Sequence, residues 1–474
     1  MKLGQLIDVP EGGERQVTGF AIDHRKVAPG TVFGAFPGLR FNGEDFVPAA
    51  VAAGAIAIVA RPGVAVAGAA HIGAENPRET FAALAAKFFA PFPETCVAVT
   101  GTNGKTSTVE MTRQLWRMVG LSAASIGTLG VTTADDRATT GLTTPDVVTF
   151  LSNVAGLARE GVTHLAFEAS SHGLSQYRID GPKVSAAAFT NLSRDHLDYH
   201  KDMADYFTAK MRLFSEVLDP AGTAVVWVDD NEYAARVIDL AHERGNRLIT
   251  VGPSGDTIRL VSRDPTLLGQ GLVVAIDGRE HKVTLPLIGA YQAANALTAA
   301  GLVIATGGDV TTTIGNLSRL QPVRGRLERA VIAKSGAPVY VDYAHTPDAV
   351  EAAVAALKPH AGGRLIVVLG AGGDRDVGKR AAMGRVAADT ADIVYVTDDN
   401  PRTEQPAQIR AHIMEGAPSA IEIGDRRRAI GAAIADAEAQ DIVLIVGKGH
   451  EQGQIVGDLV LPFDDVTVAR ECAA

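Results

Sequence analysis

The stretch VAVTGTNGKTSTVEM, residues 97–111, joins an apolar, strand-forming run to a helical pattern through a glycine-rich turn. The helical pattern consists of apolar residues with the spacing of one helix face, namely Met111, Leu115, Met118 and Val119. Gly120 follows this series and can end the helix. The stretch therefore predicts a strand, a tight loop and a helix in immediate succession.

The turn contains the residue types of a phosphate-binding loop. Glycines let backbone N–H groups curl around an anion, and the positive end of the helix dipole favours the same anion. Lys105 adds a positive charge, and the hydroxyl of Thr106 or Ser107 can reach a metal ion. Val99 occupies the first glycine position of the usual motif, so a turn that merely requires glycines is the alternative. The succession of lysine and two hydroxyl residues favours nucleotide binding, through Gly101, Thr102, Asn103, Gly104, Lys105, Thr106 and Ser107.

Short β-branched runs alternate with alanine-rich helical stretches along most of the chain. The runs that predict strands are CVAVT (96–100), HLAFE (164–168), AAAFTN (186–191), TAVVWV (223–228), PVYVDY (338–343), LIVVLG (365–370), IVYVT (393–397) and IVLIVG (442–447). Continuous apolar runs separated by helices are typical of buried strands in mostly parallel sheets. We therefore predict an α/β fold.

The length of 474 residues predicts about three domains, at roughly 150 residues for each domain. Hydrophobic residues make up 46% of the chain and charged residues 21%, which suffices for an ordinary buried core in each domain. Proline- and glycine-containing breaks occur at residues 89–94 and 318–326. We predict domains over residues 1–90, 91–320 and 321–474.

Composition also excludes several classes of protein. The formal net charge of −10 argues against nucleic acid or an anionic membrane as a general partner. Two cysteines, Cys96 and Cys472, cannot form a disulfide-rich scaffold and lack the spacing of a zinc site. The first ten residues lack the apolar core of a signal peptide, and the apolar residues 49–70 are too interrupted to span a bilayer. We expect a soluble cytoplasmic protein.

Further blocks accompany the phosphate loop in a fixed order. They are FEASSHGLSQYRI (167–179), TNLSRDHLDYH (190–200), VDYAHTPD (341–348), GAGGDRDVGKR (370–380), TDDNPRTE (397–404) and GKGHE (447–451). Together with TGTNGKTST, these blocks resemble the Mur ligase family of ATP-dependent peptide-bond formers. The resemblance runs from about residue 22 to 465. It implies an N-terminal UDP-binding domain, a central P-loop ATPase-like domain with a mostly parallel sheet, and a C-terminal Rossmann-like domain.

The resemblance also implies a two-step reaction in peptidoglycan precursor synthesis. ATP phosphorylates a substrate carboxylate to an acyl phosphate, and the amine of an incoming amino acid then displaces phosphate to form an amide. Such chemistry needs cationic groups and metal ions around the transferring phosphoryl group, and two substrate sites that face one another. The implied partners are ATP, Mg²⁺, UDP-N-acetylmuramoyl-L-alanyl-D-glutamate and an amino acid, bound by a monomer.

Metal and phosphate contacts follow from the same resemblance. Glu168 ends an apolar strand, where a carboxylate suits Mg²⁺, although it could instead cap the next helix. His196 is implied to bind a second metal, whereas Asp198 and His200 are expected to be polar loop residues. Lys210 resembles the lysine that the family carbamylates to a carboxylate-like ligand, and a surface helix lysine is the ordinary alternative. The implied metal ligands are Thr106, Glu168, His196 and Lys210 as its carbamate.

The remaining ATP contacts are also implied by resemblance. Arg326 matches the arginine that contacts the γ-phosphate, Asp342 matches the ribose-binding acid, and Asn295 matches the adenine-binding amide. Gln292 stands where the family more often has asparagine, and the role of His345 stays open. The predicted catalytic residues are Lys105, Glu168, His196, Lys210 and Arg326.

The nucleotide-sugar peptide is expected to contact several of the matched blocks. The implied contacts are His24, Thr143, Thr144, Ser170, Gln176 and Arg178. The two threonines could instead form a capping pair at a helix start before Pro145. Arg178 could grip a carboxylate or a diphosphate, or be a solvated helix charge. The segment around His24 departs from the family pattern, since serine is usual there.

The amino acid is inferred from Arg402. In this family DNPR accompanies enzymes that add meso-diaminopimelate, and lysine-adding relatives tend to lack this arginine. Diaminopimelate ends in a second head that bears a carboxylate, whereas lysine ends in an ammonium. A guanidinium attracts the first and repels the second. The other matched positions are Arg375, Asp399, Asn400, Gly447 and Glu451, with Asp399 and Glu451 available for the ammonium.

Three alternatives remain open. The first is a lysine-adding relative, and the second is a folylpolyglutamate-type synthetase, which should lack the SSHGL and DNPR blocks. The third is a nucleotide-binding regulatory or scaffold protein without activity. The presence of Lys105, Glu168, His196 and Lys210 argues against this loss of activity.

Overall fold

The computed structural model describes residues 1–9, 11–38, 41–133, 137–138, 142–197, 199–229, 231–266 and 269–474. Within these residues, strands form three main sheets and one separate hairpin. Helices pack on the sheets and connect their strands. The predicted α/β fold is confirmed.

The first sheet consists of four short parallel strands in chain order. Its strands are β1 (Gly19–Ala21), β2 (Thr31–Gly34), β3 (Ala57–Ala60) and β4 (Ala70–Gly73), and its helices are α1 (Leu3–Leu6), α2 (Val47–Ala52) and α3 (Pro77–Phe89). Phe81 on α3 belongs to an apolar cluster that also contains Phe150 and Phe167 of the central segment. The first segment therefore packs directly on the central one.

The central sheet has eleven strands in the order β15-β14-β13-β12-β11-β10-β5-β9-β6-β7-β8. They are β5 (Thr95–Thr100), β6 (Ala123–Gly127), β7 (Gly130–Thr132), β8 (Arg137–Ala138), β9 (His164–Glu168), β10 (Val184–Phe189), β11 (Leu218–Trp227), β12 (Arg247–Gly252), β13 (Ile258–Thr266), β14 (Gly269–Ile276) and β15 (Arg279–Leu285). The strands from β6 through β9, β5, β10, β11 and β12 to β13 are parallel, and both edges are antiparallel.

Helices cover both faces of this sheet. They are α4 (Lys105–Met118), α5 (Val147–Arg159), α6 (Ser171–Ser175), α7 (Met203–Arg212), α8 (Glu232–Glu243), α9 (Ala290–Ala305) and α10 (Val310–Asn316). Helix α4 begins directly after the loop, as predicted, and buries Met111 and Leu115. The prediction that Val119 extends this face is wrong. The helix ends at Met118 and Val119 is 44% exposed, because Gly120 turns the chain with a φ of 84°.

The third sheet has the order β16-β17-β21-β18-β19-β20, with only β16 antiparallel to its neighbour. Its strands are β16 (Glu328–Ile332), β17 (Pro338–Asp342), β18 (Leu365–Leu369), β19 (Ile393–Val396), β20 (Ile421–Glu422) and β21 (Ile442–Val446), and the separate hairpin is β22 (Gly453–Val456) with β23 (Leu459–Pro462). Its helices are α11 (Pro347–Leu357), α12 (Gly378–Thr390), α13 (Pro406–Met414), α14 (Arg426–Asp436) and α15 (Asp465–Ala473).

All eight predicted strands are confirmed, with ends that shift by a few residues. Their apolar side chains are buried on both faces, which explains why the runs are continuous rather than alternating. Among the described residues, no helix is long and apolar enough to cross a membrane.

Candidate active site

The phosphate loop, residues 101–104, lies at the carboxyl end of β5. This strand pairs in parallel with β9 on one side and β10 on the other, so the carboxyl ends of three strands meet at one edge of the sheet. Gly104 has a φ of 86° and directly precedes α4. A Cβ atom at Gly101 would lie 2.0 Å from Oγ1 of Thr190, so no side chain fits there. Ligands of open α/β sheets bind at such an edge.

Residues that follow β10 hold the loop in shape. The Thr190 hydroxyl donates to the Asn103 carbonyl oxygen at 2.6 Å, and the Asn103 N–H donates to Oδ1 of Asn191 at 2.9 Å. The Thr102 hydroxyl donates to the Ser193 carbonyl oxygen at 3.1 Å. Thr190 and Asn191 were not among the predicted contacts. The sequence signal that could have predicted these loop contacts is their position directly after β10, the strand that ends beside the phosphate loop.

A cavity of about 480 Å³ opens in front of the loop, and both the central and the C-terminal segment line it. Its size is that of small-molecule sites. Its walls include the predicted ATP and metal contacts Thr102, Asn103, Gly104, Lys105, Thr106, Ser107, Glu168, His196, Asn295, Arg326 and Asp342. Tertiary structure thus brings these residues together around one cavity.

Two lysines contact the backbone of the loop. Nζ of Lys105 donates to the carbonyl oxygens of Gly101 at 2.9 Å and Thr102 at 2.8 Å. Nζ of Lys210, on α7, donates to the Gly101 carbonyl oxygen at 2.7 Å. Lys210 is 1% exposed, so the surface-lysine alternative is wrong. Burial lowers the pKa of both lysines. The pKa of Lys210 falls well below its usual value, chiefly because of burial and secondarily because the positive charge of Lys105 lies nearby.

Arg326 and Asp342 extend the site into the C-terminal sheet. Nη2 of Arg326 donates to the Thr106 hydroxyl at 3.0 Å. Asp342, the last residue of β17, accepts hydrogen bonds from the N–H groups of Leu327 at 2.6 Å and Ala344 at 2.8 Å. Burial nevertheless raises the pKa of Asp342 to about 6, against the opposing effect of Arg326. The central and C-terminal segments therefore meet at the Thr106 hydroxyl.

Asn295 lies on α9, directly against the loop. A Cβ atom at Gly104 would lie 2.3 Å from Oδ1 of Asn295. The Thr108 hydroxyl donates to the same oxygen at 3.5 Å, and Nε2 of Gln292 donates to the Arg326 carbonyl oxygen at 2.9 Å. Asn295 thus lies at the phosphate-loop end of the cavity, and its contact with adenine stays a prediction.

Glu168 ends β9 and turns its carboxylate toward the cavity. The Thr128 N–H donates to Oε1 at 2.7 Å, and the Thr128 hydroxyl donates to Oε2 at 3.2 Å. A Cβ atom at Gly127 would lie 2.2 Å from Oε1. Ser170, not Glu168, caps α6, since its Oγ accepts a hydrogen bond from the Gly173 N–H. The capping alternative for Glu168 is therefore wrong, and the carboxylate offers the oxygen ligands that Mg²⁺ prefers.

His196 lies on the cavity wall in the left-handed backbone region, with a φ of 54°. Its N–H donates to Oδ1 of Asp195 at 2.9 Å, and its Nε2 lies 3.5 Å from the other Asp195 oxygen. Burial lowers the pKa of His196, and Lys105 acts in the same direction, whereas Asp195 opposes both. A neutral imidazole is the form that binds metal ions.

His200 lies in the loop, as expected, but it is buried rather than solvated. It is 3% exposed, its Nε2 lies 2.9 Å from Oγ of Ser171, and its Nδ1 lies 3.2 Å from Oδ2 of Asp205. The ring therefore ties the His196 loop to the starts of α6 and α7. Asp198 lies outside the described residues.

Four of the predicted nucleotide-sugar peptide contacts form one cluster. The Thr144 hydroxyl donates to the Glu168 carbonyl oxygen at 3.1 Å and accepts from the Ser170 N–H at 3.2 Å. Arg178 donates to the Thr144 carbonyl oxygen at 3.2 Å and to Oε1 of Gln176 at 2.7 Å. Burial lowers the pKa of Arg178, so it is not the solvated charge of the alternative explanation.

Thr143 joins this cluster to Glu168, because its hydroxyl lies 3.0 Å from the hydroxyl of Thr128, which contacts the Glu168 carboxylate. Asp146 caps α5, so the threonines are not the predicted capping pair. His24 lies apart from the cluster, in the first segment, where its ring stacks on Phe46 at 4.4 Å. A contact between His24 and the substrate stays a prediction.

The C-terminal segment holds a second charged site, where the predicted amino-acid contacts Asp399, Asn400 and Glu451 meet; we call it the predicted amino-acid pocket. Nζ of Lys448 donates to Oδ1 of Asn400 at 2.9 Å and pairs with Asp399 at 3.4 Å and Glu451 at 3.2 Å. A Cβ atom at Gly447 would lie 2.7 Å from Oδ2 of Asp399. Lys448 is fully buried and was not predicted, although it lies inside the GKGHE block. The two carboxylates proposed for a substrate ammonium thus already share one ammonium.

Arg402 lies beside this network, in a left-handed conformation with a φ of 51°. Its Nη1 donates to the Gly373 carbonyl oxygen at 2.7 Å, and its N–H donates to the Ile455 carbonyl oxygen at 3.0 Å. A Cβ atom at Gly372 would lie 2.8 Å from Nη1 of Arg402 and 3.8 Å from Cγ of Arg375. The two predicted arginines therefore flank a single glycine.

Comparison with known proteins agrees with this geometry. Residues 99–303 match the Mur ligase middle domain, and residues 325–449 match the Mur ligase glutamate ligase domain. The chain is 59% identical, over 98% of its length and 96% of the relative, to the UDP-N-acetylmuramoyl-L-alanyl-D-glutamate–2,6-diaminopimelate ligase of Zymomonas mobilis subsp. mobilis.

Solved structures show the same relationship. A structure of a UDP-N-acetylmuramoyl-L-alanyl-D-glutamate–2,6-diaminopimelate ligase is 32% identical, with a TM-score of 0.72, and covers 100% of this chain and 98% of that chain. MurF ligase from Thermotoga maritima, solved in complex with ADP, shares the fold at 21% identity and a TM-score of 0.61, over 91% of this chain and 94% of that chain. The sequence blocks, the cavity they surround and these matches lead to one conclusion: the chain belongs to the Mur ligase family.

Proposed function

We propose that this chain is an ADP-forming ligase that joins meso-2,6-diaminopimelate to UDP-N-acetylmuramoyl-L-alanyl-D-glutamate through an acyl phosphate. The observation that carries the proposal is the presence, in one family member, of a phosphate-loop cavity and of two arginines, Arg402 and Arg375, beside Gly372. The relative from Zymomonas mobilis, named for this reaction, supports the same assignment. Lysine addition is less well supported, because lysine lacks the distal carboxylate that a guanidinium would bind.

In the first step, the cavity would bind ATP with its phosphates against residues 101–107. Lys105 and Arg326 would donate to phosphate oxygens in place of their present carbonyl and hydroxyl partners. Their positive charge would stabilise the charge that spreads over the transferring phosphoryl group. Asp342 would accept hydrogen bonds from the ribose.

Mg²⁺, when bound, would neutralise phosphate charge in this cavity. Thr106 and Glu168 would hold one ion through oxygen atoms, and His196 would hold a second ion through its neutral imidazole; all three residues line the cavity. We propose that Lys210 is carbamylated and adds a further oxygen ligand. Its burial and its lowered pKa favour the neutral amine, which is the form that reacts with carbon dioxide.

The nucleotide-sugar peptide would lie across the cluster of Thr143, Thr144, Ser170, Gln176 and Arg178. The Thr144 hydroxyl donates to the Glu168 carbonyl oxygen, and Thr143 contacts Thr128, which donates to the Glu168 carboxylate. A substrate carboxylate bound to this cluster would therefore lie near the proposed metal ligands. Arg178, desolvated and directed by Gln176, is suited to an anionic group of the substrate. His24 would contact the uridine end.

In the second step, the pocket around Arg402 would orient the amino acid so that its amine attacks the acyl phosphate. Arg402 and Arg375 would bind the distal carboxylate, and Glu451 and Asp399 would bind the distal ammonium alongside Lys448. Such a pocket presents fixed charges of both signs, which match a zwitterionic head. Positioning of the two reactants supplies most of the rate in this kind of reaction.

An amino-acid panel tests the proposal. ADP release is measured with ATP, Mg²⁺ and UDP-N-acetylmuramoyl-L-alanyl-D-glutamate, while meso-diaminopimelate, L-lysine, D-alanyl-D-alanine and L-glutamate are supplied in turn. Turnover that requires both the acceptor and diaminopimelate is the expected result. Turnover with lysine but not with diaminopimelate would assign the chain to the lysine-adding branch. ADP release that does not depend on any amino acid would contradict the proposed ligase activity.

We also propose the division into domains 1–90, 91–320 and 321–474. Each of the three main sheets lies within one of these segments. We also propose a monomer as the active unit.

A further inference from the structure

Two loops of the C-terminal segment are joined to each other beside Arg402. They are residues 370–376 and residues 397–404, which follow the neighbouring parallel strands β18 and β19. The Gly373 N–H donates to the Asn400 carbonyl oxygen at 2.8 Å, and the side chain of Arg402 returns to the Gly373 carbonyl oxygen at 2.7 Å. A Cβ atom at Gly373 would lie 1.9 Å from the Pro401 carbonyl oxygen. The loops therefore touch along their backbones.

Glu404 ties the far end of the second loop to a buried arginine. Arg380, on α12, is 0% exposed, and its two terminal nitrogens donate to the two oxygens of Glu404 at 2.7 Å and 2.8 Å. Arg380 also donates to the Gly372 carbonyl oxygen at 3.2 Å. Paired hydrogen bonds between a guanidinium and a carboxylate set orientation as well as distance.

Asp374 completes the connection from the first loop. Its N–H donates to Oε1 of Glu404 at 2.5 Å, and its carboxylate accepts from the Thr403 N–H at 3.2 Å and the Thr403 hydroxyl at 2.6 Å. The two residues that follow Arg402 are thus both fixed by side-chain contacts. On the other side, the Gly457 N–H donates to the Arg402 carbonyl oxygen at 2.7 Å.

Such fixation has a physical purpose at this position. Arg402 occupies the left-handed region, which a residue with a side chain rarely adopts unless its surroundings impose it. A released loop would relax and move the guanidinium away from Gly372 and Arg375. Arg380 and Glu404 lie inside the blocks 370–380 and 397–404, but the family resemblance implies no role for either residue.

We propose that Glu404, held by Arg380, is a positioning residue that fixes Arg402 for the distal carboxylate of the amino acid. The inference rests on the proposed function for the identity of that amino acid. The hydrogen-bonded connection itself does not depend on it.

The test compares Glu404→Gln with wild type and with Glu471→Gln. Glu471 also pairs with an arginine, Arg427, but lies on α15 and away from both loops, which makes it a matched control. Glu404→Gln should raise KM for diaminopimelate about tenfold or more, because misplacement of a positioning group costs large factors, and should leave kcat and KM for ATP within about twofold. Asp374→Asn, which weakens only the tie to Thr403, should act in the same direction to a smaller extent.

A double variant separates positioning from a general structural effect. In an Arg402→Ala background, Glu404→Gln should change KM for the amino acid by less than about twofold, because the group that it positions is gone. An unchanged KM in the single variant, or an undiminished effect in the double variant, would overturn the inference. Thermal unfolding verifies that each variant is folded. If Glu404→Gln does not fold, the KM of Asp374→Asn for diaminopimelate decides whether the inference holds.

Hydrogen exchange of residues 397–404 in the unliganded protein gives a second readout. Exchange should be faster in Glu404→Gln than in Glu471→Gln, and equal exchange would overturn the inference. If wild type does not use diaminopimelate, the proposed function fails, while this measurement still decides whether Glu404 fixes the loop.

Discussion

The central cavity and the predicted amino-acid pocket hold their cations in different ways. In the cavity, Lys105 donates to backbone carbonyl oxygens and Arg326 donates to a hydroxyl. In the pocket, Lys448 lies between the carboxylates of Asp399 and Glu451. The direct hydrogen-bond partners of the first cations are neutral, whereas those of Lys448 include carboxylates.

The difference corresponds to the ligands that each site would bind. A nucleotide triphosphate is a polyanion, so a site for it gains from cations whose partners are neutral. An amino-acid head is a zwitterion, so its site gains from charges of both signs in fixed positions. Four predictions test this contrast, in order of decreasing effect.

The largest effect is expected at Lys210, on the cavity side. Lys210→Ala should lower ADP release about 10²- to 10³-fold, since it removes the proposed carbamate, an anionic metal ligand, from beside the phosphate loop. Short carboxylates added to the variant should restore part of the activity by taking the place of the carbamate. Lys334→Ala, at an exposed lysine, is the control. Absence of any rescue would count against carbamylation.

A second prediction contrasts the two sites by stability. Lys448→Met should lower the free energy of unfolding by about 3–5 kcal/mol, because two carboxylates lose their shared buried partner. Lys105→Met should lower it by no more than about 1 kcal/mol, because only hydrogen bonds to loop carbonyls are lost. Urea unfolding measures both. Equal losses of unfolding free energy in Lys448→Met and Lys105→Met would contradict the difference between a lysine paired with carboxylates and a lysine bonded to neutral carbonyl groups.

A third prediction concerns Arg402. Arg402→Ala should raise KM for diaminopimelate roughly 10- to 100-fold, which corresponds to about 1.5–3 kcal/mol for hydrogen bonds to a charged group. KM for ATP should not change, because the side chain contacts the C-terminal loops. Arg402→Lys keeps the positive charge but loses the paired hydrogen-bond geometry. Its KM for diaminopimelate should therefore lie between those of wild type and Arg402→Ala. Steady-state kinetics that show an unchanged KM for diaminopimelate would contradict the assignment.

The smallest effect is a pH dependence at Asp342. Because burial raises the pKa of this carboxyl to about 6, it becomes protonated as the pH falls through 6, and it then accepts hydrogen bonds less well. KM for ATP should therefore rise several-fold, at most about tenfold, between roughly pH 7 and pH 5. Asp342→Asn should remove this part of the pH profile, and a profile identical to wild type would show that another group titrates.

The same raised pKa has a consequence for folding. Between the unperturbed value of 3.8 and about 6, the native carboxyl holds a proton that the unfolded chain has lost. The contribution of Asp342 to stability is therefore fully present below this window and is lost as the pH rises through it. Urea unfolding of wild type and Asp342→Asn across this range should show the difference.

Local pattern determined the elements of this protein. Apolar runs such as residues 96–100 and 442–447 predict buried strands because a strand covered on both faces needs no polar alternation. The phosphate loop is equally local, since glycines, a lysine and a helix start are adjacent in the chain. The family blocks predicted the site residues one by one, and the order of these blocks correctly predicted the family.

Only the tertiary structure decided which side chains meet. Lys448, Arg380 and Thr190 are ordinary residues in their own segments, and they gain significance from partners that other strands and loops supply. His200 has a polar sequence neighbourhood and is nevertheless buried against α6 and α7. Hydrogen bonds and desolvation depend on distances of a few ångströms between distant parts of the chain, and the local pattern of residues does not contain those distances.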